Sequence, residues 1–329
     1  MGTTRVEVSV VICTYNRAKS LRGALASLAA MPAPSELTWE VVVVDNNSKD
    51  DTTGATAEFQ RSSGLNVRYV FEARQGLNYA RNAGVKAARG DLIFFIDDDV
   101  RVSGSWLLEM KRAFDLNPVV GVGGRVLIKE DLQRPEWWNV EYDGALGKFD
   151  NGSKDILSDE TYNSIVGIGA NIGFKRSVFD QYGYFQPHLD RRGRRLLMGG
   201  DIEYTQRIKA AGGLLMYRSS AVVYHNPDVV RITKSYLRRW YFRIGEWEAR
   251  KVPAGSRTEY TVFTMPRWKY RSMLEHFVRT FSLFLQRRFH DGFYYELQCI
   301  SLVGYFFGAV KNSVSSMSLV GKKLIECAL

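Results

Sequence analysis

Three consecutive aspartates, Asp97-Asp98-Asp99, directly follow an uncharged apolar run, Leu92 to Ile96. A continuous run rich in Ile and Phe is typical of a strand buried on both faces of a parallel sheet. Because burying an unpaired carboxylate is costly, we expect the strand to end at the aspartates. Adjacent carboxylates repel one another unless a cation lies between them, and hard divalent cations prefer such oxygen ligands. The pattern predicts a metal site at the carboxyl edge of a sheet, where open α/β folds bind ligands. A solvated acidic turn is the alternative.

The chain around the aspartates alternates between strand-like and helix-like segments. Apolar residues at helical spacing, followed by Pro or Gly, separate short apolar runs that are typical of buried strands. This βαβαβαβ order predicts an α/β domain with a parallel, right-handed, doubly wound sheet. Strands are expected at Val6 to Cys13, Trp39 to Val44, Val67 to Phe71, Leu92 to Ile96, Gly121 to Ile128 and Gly167 to Phe174.

Two further polar clusters, Thr14 to Arg17 and Asp45 to Ser48, follow the first two predicted strands. The carboxyl ends of parallel strands lie at one edge of a sheet, so both clusters are expected near the aspartates. The three clusters together predict a site for a metal-bound diphosphate, with the polar loops holding a nucleoside. Neither a Walker loop nor a G-x-G-x-x-G motif follows the first strand, which argues against an ordinary NTPase or a dinucleotide enzyme.

The charge of the chain is divided unevenly. Residues 1–230 hold 28 Lys and Arg against 28 Asp and Glu, whereas residues 231–329 hold 17 against 7, which accounts for the whole net charge of +10. We therefore predict a catalytic domain over residues 1–230 and a basic, aromatic, helical region over residues 231–329. Within the first, residues 1–103 are expected to bind the nucleotide and residues 104–230 the second substrate.

Several side chains outside the acidic cluster are candidates for ligand contacts. Arg74, Asn78 and Arg81 lie near the start of a predicted helix, where their donors could reach a base or diphosphate; a solvated helix face is the alternative. Arginines between Arg191 and Arg195 suggest a lid over the diphosphate, or a solvated basic loop.

Aromatic residues mark the middle of the chain. Trp137 and Trp138 lie in a Pro-containing loop and could stack on sugar faces. They could equally be core beneath a long loop, and both interpretations remain open. Asn171, in a Gly-punctuated strand, is a candidate contact to a sugar or an acceptor.

An ordered set of motifs resembles the family 2 glycosyltransferases with a GT-A fold. The resemblance implies a Rossmann-like α/β domain with a mixed, mainly parallel sheet flanked by helices, followed by a C-terminal helical extension. The resemblance covers roughly 230 residues, and the ordered set is more specific than any one motif. The matching stretches are Val10 to Arg17, Val43 to Asp50, Gly76 to Gly84, Gly90 to Asp99, Gly169 to Phe174, Gly200 to Glu203 and Val223 to His225.

The resemblance implies sugar transfer from a nucleotide sugar, with inversion at the anomeric carbon. The implied cofactors are a divalent metal, Mg²⁺ or Mn²⁺, and a donor for which a UDP-sugar is slightly favoured over dTDP- and GDP-sugars. Asp97-Asp98-Asp99 matches the Asp-x-Asp motif, with Asp97 near the ribose, Asp99 on the metal and Asp98 counted among the donor-binding residues. His225 is implied as a second metal ligand. The residues implied to hold the nucleoside are Thr14, Tyr15, Arg17 and Asp45.

Asp201 is the candidate general base. It opens a predicted helix, whose N-terminal dipole favours a carboxylate. Displacement at the anomeric carbon needs a base that takes the proton of the acceptor hydroxyl. The family usually has Glu-Asp here, but this chain has Gly200 before the aspartate. Gly200 and Glu203 are candidate acceptor contacts, and holding the helix is the alternative role for Glu203. A bare helix cap is the alternative role for Asp201.

The basic C-terminal region suggests a membrane surface. Arg, Phe and Leu are interleaved at helical spacing, but the longest uncharged apolar stretch, Leu297 to Val310, is shorter than the roughly 20 residues of a membrane span. We expect peripheral attachment to an anionic membrane, with a packed subdomain or a homodimer interface as the alternative. No leader is visible at the N-terminus and the three cysteines are scattered, so we expect a cytoplasmic protein on the inner face of the membrane.

Three classes of function compete at this point. The leading hypothesis is an inverting, metal-dependent glycosyltransferase of surface polysaccharide biosynthesis, acting on a glycan or lipid-linked acceptor. A nucleotidyltransferase would normally carry a Gly-rich phosphate loop after its first strand, and a catalytically inactive sugar- or membrane-binding module would not need the acidic residues. No nucleic-acid motif accompanies the basic region.

Overall fold

The computed structural model describes residues 5–32, 37–158, 165–189, 199–251, 261–262 and 265–326. The predicted lid from Arg191 to Arg195 lies outside these residues. The described chain divides into two compact units, one formed by residues 1–132 and 146–227 and the other by residues 133–145 and 228–329. The second unit thus includes a short segment from the middle of the chain.

The first unit contains a mixed sheet of nine strands within the described residues. Its order is β3-β2-β1-β4-β8-β6-β9-β5, with β7 paired to β9. The strands are β1 (Val8–Thr14), β2 (Trp39–Asp45), β3 (Val67–Phe71), β4 (Leu92–Asp97), β5 (Val100–Val102), β6 (Gly121–Ile128), β7 (Ile156–Leu157), β8 (Asn171–Lys175) and β9 (Leu215–His225).

Helices cover both faces of this sheet. They are α1 (Ala18–Ala29), α2 (Thr52–Ser62), α3 (Leu77–Ala87), α4 (Trp106–Leu116), α5 (Ser177–Tyr182) and α6 (Gly200–Ala210). Alternate residues of the central strands point to opposite sides, so Phe94 joins a core with α1 and α4, whereas Phe95 joins a core with α3, α5 and α6. Burial on both faces explains why the strands read as continuous apolar runs.

The sheet confirms the predicted fold class. β1, β2, β3 and β4 are parallel, whereas β8 runs antiparallel to both β4 and β6. The prediction of a strand over residues 167–174 placed its start too early. Asn171 N donates to Ile168 O at 2.9 Å, which closes a turn immediately before the strand. β8 therefore begins at Asn171.

The second unit is mainly helical. It consists of α7 (Lys234–Lys251), β10 (Thr261–Val262), β11 (Met265–Pro266), α8 (Arg267–Leu285) and α9 (Phe289–Glu326). Both α7 and α8 pack on α9, and Gly245 and Gly304 allow close backbone approach because a Cβ at either would overlap the opposing helix. In the described part of the chain, no helix has an apolar stretch sufficient to cross a bilayer.

Candidate active site

Strand register brings the three predicted polar clusters to one edge of the sheet. Thr14 is paired with Asp45 across β1 and β2, and Cys13 is paired with Asp97 across β1 and β4. All three strands are parallel and end here. The loops that follow these strands therefore lie at the same carboxyl edge of the sheet.

Asp97, Asp99 and His225 form a cluster at this edge. Each offers one ligand atom, and the three atoms lie within 4.8 Å of one another. β5 positions the histidine, because Val100 is paired with His225 in an antiparallel ladder and Asn226 N donates to Asp99 O at 2.8 Å. His225 Nε2 lies 3.0 Å from Asp99 Oδ1, and both side chains are 2% exposed.

The chemistry of this cluster fits a divalent cation. Two carboxylates and one imidazole offer oxygen and nitrogen donors, a mixture that suits Mn²⁺ as well as the oxygen-preferring Mg²⁺. His225 Nδ1 is buried and has no hydrogen-bond partner among the described residues. A buried imidazole nitrogen without a partner is costly, so a function for this ring beyond packing is expected.

Asp98 has a different environment from its two neighbours. Thr14 Oγ1 donates to Asp98 Oδ2 at 2.7 Å, and Arg17 Nη1 donates to Asp98 Oδ1 at 3.0 Å and to Asp99 Oδ2 at 2.7 Å. Burial and the charge of Asp99 raise the pKa of Asp98, while Arg17 and Thr14 oppose that rise. Thr14 and Arg17 thus hold Asp98 in place, and Arg17 connects it to Asp99 of the metal cluster. The sequence suggested direct nucleoside contacts for the first two and did not reveal this network.

Asp45 is buried at the end of β2 and is held in place by two donors. Tyr69 Oη donates to Asp45 Oδ2 at 2.7 Å, and Ser48 N donates to Asp45 Oδ1 at 2.8 Å. Tyr15 lies in the loop after β1 and is 40% exposed, so its ring is accessible to a ligand. The sequence analysis did not identify Tyr69 as a partner of Asp45. The available signal was the alternation of side chains along a short strand, which places every second residue on the same face.

Arg74 lies on the surface near this group. Its guanidinium makes a bidentate pair with Glu72, with Nε–Oε1 and Nη2–Oε2 distances of 2.9 Å, and lies over the ring of Tyr79 at 4.7 Å. The hydrogen bonds with Glu72 lower the pKa of that carboxyl. Arg74 is thus held near the predicted nucleoside loop, with Glu72 as a partner that the sequence did not reveal.

Asn78 and Arg81 lie on the first two turns of α3 and are buried. Asn78 Nδ2 donates to Gln186 O at 2.9 Å, and Arg81 Nη1 lies 3.3 Å from Asn78 Oδ1. A Cβ at Gly200 would lie 2.6 Å from Asn78 Nδ2. This contact gives a physical reason for Gly at a position where the family usually has Glu. Gly200 is buried against Asn78 and offers no side chain to an acceptor.

Asp201 lies in the first turn of α6. Gly199 precedes the helix with φ of 100°, a conformation that favours glycine. Gly169 N donates to Asp201 Oδ2 at 2.6 Å, and Ile202 N donates to Asp201 Oδ1 at 3.0 Å. Two backbone donors thus hold the Asp201 carboxylate at the N-terminus of α6.

Gly169 links Asp201 to Arg81 and to the acidic strand. A Cβ at Gly169 would lie 1.8 Å from Arg81 Nη2 and 3.3 Å from Asp201 Oδ2, so the cation and the carboxylate flank this glycine. The antiparallel β4–β8 ladder ends with Ile96 opposite Asn171. Continuing the chain in both directions leads Asp97 and Gly169 to the same edge. The structure therefore places Asp201 and the metal cluster at one edge of the sheet.

Two predicted acceptor residues have structural partners instead. Asn171 is fully buried: its Oδ1 accepts from Trp106 Nε1 at 2.8 Å, and its Nδ2 donates to Arg125 O and Ala221 O at 2.9 and 2.8 Å. These bonds join β6, β8 and β9 at a register shift in β6. The amide is thus engaged by neighbouring protein groups, and a ligand contact at Asn171 stays a prediction.

Glu203 is the second of these residues. It makes a bidentate pair with Arg207, one turn later in α6, with distances of 2.9 and 3.0 Å. Arg207 also donates to Tyr182 O and Tyr184 O. Glu203 therefore helps to hold α6 on the segment after α5, which is the alternative role that the sequence suggested for it.

Trp137 and Trp138 belong to the second unit. Their rings lie 5.7 Å apart, and Trp138 Nε1 donates to Asp143 Oδ1 at 3.0 Å. Both line a cavity of about 920 Å³, together with residues of α8, its following turn and α9. Its other polar and aromatic lining includes Glu136, Arg279, Arg288, His290, Asp291, Tyr294 and Tyr295.

Two curated relatives have names that describe a glucuronosyltransferase and a protein of succinoglycan biosynthesis. The chain is 28% identical over 225 residues to the glucosyl-dolichyl phosphate glucuronosyltransferase of Haloferax volcanii, covering 67% of this chain and 69% of that protein. It is 24% identical over 252 residues to the succinoglycan biosynthesis protein ExoM of Rhizobium meliloti, covering 76% of each. These proteins are relatives at moderate identity over most of their length.

A solved structure shows the same fold. The mannosyltransferase PcManGT from Pyrobaculum calidifontis, in complex with GDP-Man and Mn²⁺, superimposes with a TM-score of 0.55 at 19% identity. The match covers 77% of this chain and 66% of that one, slightly less than two thirds. The likeness supports the GT-A architecture described above.

A family comparison decides among the three classes of function. The model of "Glycosyl transferase family 2" matches residues 9–183, which include β1 to β8, the acidic cluster and Gly169. This match covers more than half of the chain. A nucleotidyltransferase or a mere binding module is therefore not indicated. The chain belongs to glycosyl transferase family 2 and is a nucleotide-sugar glycosyltransferase.

Proposed function

We propose that this glycosyltransferase inverts the anomeric carbon in a single displacement, with Asp201 as the general base and a divalent metal at Asp97, Asp99 and His225. The acceptor oxygen forms a bond to the anomeric carbon while the bond to the nucleoside diphosphate breaks. The acceptor hydroxyl proton passes to the Asp201 carboxylate. One displacement at one carbon inverts its configuration.

The observation that carries this proposal is the common edge of the metal cluster and Asp201. Gly169 N holds one carboxylate oxygen of Asp201, while the antiparallel ladder leads Gly169 toward the end of β4. A base and a leaving-group site must lie on either side of the reacting carbon. The common edge reached by α6, β8 and β4 supports this arrangement.

Different residues are proposed to act on the donor and on the acceptor. A bound metal would supply Lewis-acid stabilisation of the departing diphosphate. Arg81, beside Gly169, adds a buried positive charge near Asp201. Asp45 and Tyr15 are proposed to hold the nucleoside, because Asp45 is fixed by Tyr69 and Ser48 and its oxygens keep further accepting capacity.

The proposed substrates are a UDP-sugar, with dTDP- and GDP-sugars as alternatives, and a glycan or lipid-linked acceptor of surface polysaccharide biosynthesis. The names of the two curated relatives support this acceptor class. Trp137 and Trp138, at the cavity of the second unit, are proposed acceptor contacts because aromatic faces stack well on sugars.

A donor panel tests the proposal. Purified protein is incubated with UDP-, dTDP- and GDP-sugars and Mg²⁺ or Mn²⁺, and released nucleoside diphosphate and thermal stabilisation are measured. We expect donors with one of these nucleobases to stabilise the protein strongly and to release nucleoside diphosphate. NMR of the product should show the inverted anomeric configuration. A product with retained configuration would contradict the single displacement.

We predict that Gly169→Ala lowers kcat about tenfold or more while the fold is retained. The new methyl would overlap Arg81 Nη2, at 1.8 Å, and must displace the guanidinium or the Asp201 carboxylate. A base moved by about 1 Å loses much of its catalytic effect. Steady-state kinetics and the melting temperature are the measurements.

Gly104→Ala is the matched control for this variant. Its new Cβ would meet only Pro32 Cδ, at an ordinary 3.6 Å. We expect kcat for this control within about twofold of the original. Equal kcat values for both alanine variants would show that Gly169 has no positioning role.

A further inference from the structure

One face of α8 is apolar and exposed. Six large side chains occur at i, i+3, i+4, i+7, i+10 and i+11, a spacing that places them on one side of a helix. Each is between 56% and 67% exposed. These residues, named here the α8 outer face, are Leu274, Phe277, Val278, Phe281, Phe284 and Leu285.

The opposite side of α8 is already covered by α9. Arg279 Nη1 donates to Tyr295 Oη at 2.8 Å, the rings of His276 and Tyr295 lie 5.8 Å apart, and Cys299 Sγ contacts Met273 O at 3.7 Å. α8 is therefore anchored along its inner side. The outer face is therefore exposed although α8 itself is packed. A continuous exposed apolar patch of this kind marks an interaction surface.

Basic residues frame this face. The stretch from residue 267 to 291 contains six Lys and Arg against two acidic residues, a net charge of +4. Arg267 and Arg271 lie at the start of α8, and Arg287 and Arg288 lie in the turn after it; all four are exposed. Long basic side chains can extend from the flank of an apolar face toward negatively charged groups.

We propose that the α8 outer face docks on an anionic lipid surface, with α8 lying parallel to the bilayer plane. An exposed apolar stripe with basic ends is the pattern of a helix buried at the boundary of headgroups and acyl chains. Anionic headgroups complement the arginines at both ends, whereas a second copy would bring two +4 stretches together. Charge thus favours lipid over self-association.

Vesicle binding tests the proposal without donor or acceptor, so its failure would leave the proposed reaction untouched. The full chain is mixed with neutral vesicles of phosphatidylcholine or with anionic vesicles of phosphatidylcholine and phosphatidylglycerol in equal parts. The fraction of protein that sediments with the vesicles is measured. We expect strong binding to the anionic vesicles at about 0.1 M salt, and much weaker binding at about 1 M, where the Debye length is about 3 Å. Neutral vesicles should bind weakly.

Variants assign the binding to this face. Phe277→Gln/Phe281→Gln/Phe284→Gln is expected to weaken partitioning at least 100-fold, because three rings no longer enter the acyl region. Leu116→Gln/Val229→Gln/Val230→Gln changes three comparably exposed apolar side chains elsewhere and should bind like the original. All six positions are exposed, so both variants are expected to fold.

A charge pair provides an independent measurement. Arg267→Gln/Arg287→Gln is expected to weaken partitioning about 30-fold. Arg61→Gln/Arg89→Gln removes the same charge from exposed positions of the first unit and should have little effect.

Three results would overturn the proposal. The first is a full chain that ignores anionic vesicles at low salt. The second is a triple Phe variant that binds as well as the original. The third is a full chain that is dimeric by light scattering and that becomes monomeric with the Phe substitutions, which would make the outer face an interface between two copies.

Discussion

Asp99→Asn is expected to lower sugar transfer about a thousandfold or more, with most of the Mn²⁺ binding lost. Asp99 is 1% exposed, contacts Arg17 and His225, and is one of the three residues whose ligand atoms lie within 4.8 Å. An amide keeps the shape of the carboxylate but removes its charge. Metal stabilisation of a departing diphosphate contributes several kcal/mol, which corresponds to this loss of rate.

Two measurements separate metal binding from activity. Mn²⁺ binding to the protein alone, followed by the loss of the free-ion EPR signal, should weaken at least tenfold in Asp99→Asn. Asp115→Asn, at an exposed carboxyl paired with Lys111, is the matched control and should bind Mn²⁺ like the original. Full activity of the original protein after treatment with EDTA would refute the metal role.

The acidic edge could be predicted from the sequence because it depends on residues that are adjacent in the chain. An apolar run that meets three aspartates must end where the carboxylates can leave the core, and the parallel pairing of the first four strands follows from the alternation of strands and helices. Strand β3 was predicted with its observed bounds, Val67–Phe71, and so was β6, Gly121–Ile128. Only the family resemblance pointed to His225. Its approach to Asp99 depends on pairing between β5 and β9, which are far apart in sequence.

The structure adds side-chain partners that the sequence does not specify at two of the candidate acceptor residues. Asn171 resembles a ligand residue, yet three backbone and indole groups from β6, β9 and α4 use its amide. Glu203 likewise is engaged by Arg207 in its own helix. A buried polar side chain must be hydrogen-bonded, but a sequence does not say whether protein or ligand provides the partner.

Gly200 is the opposite case, a departure from the family pattern that the structure explains. Asn78 occupies the space into which a side chain at position 200 would extend. The two positions are far apart in the chain and meet only because the first turns of α3 and α6 lie side by side. The proposed general base, Asp201, therefore lacks the preceding Glu, and its carboxylate is oriented by the backbone N–H groups of Gly169 and Ile202.

Asp201→Asn is expected to lower kcat by about 10²–10⁴, the loss typical of removing a general base. The substitution keeps the size of the side chain, and its carbonyl can still accept from Gly169 N. The amide cannot take a proton from the acceptor hydroxyl, so the nucleophile must attack without base assistance. Donor affinity is expected to stay within about threefold, because Asp201 lies outside the metal cluster.

Glu203→Gln is the comparison that identifies the base, since Glu203 is the other carboxylate in the first turn of α6. Its loss removes the ion pair with Arg207, a partly exposed pair worth about 0.5 kcal/mol, and should leave kcat within a few-fold. Single-turnover kinetics with saturating donor measure the chemical step in both variants. If Asp201→Asn kept near-normal turnover and Glu203→Gln lost it, the base would be Glu203. With the expected order, the proton acceptor is the carboxylate that Gly169 N holds, at the edge of the sheet where β4 ends.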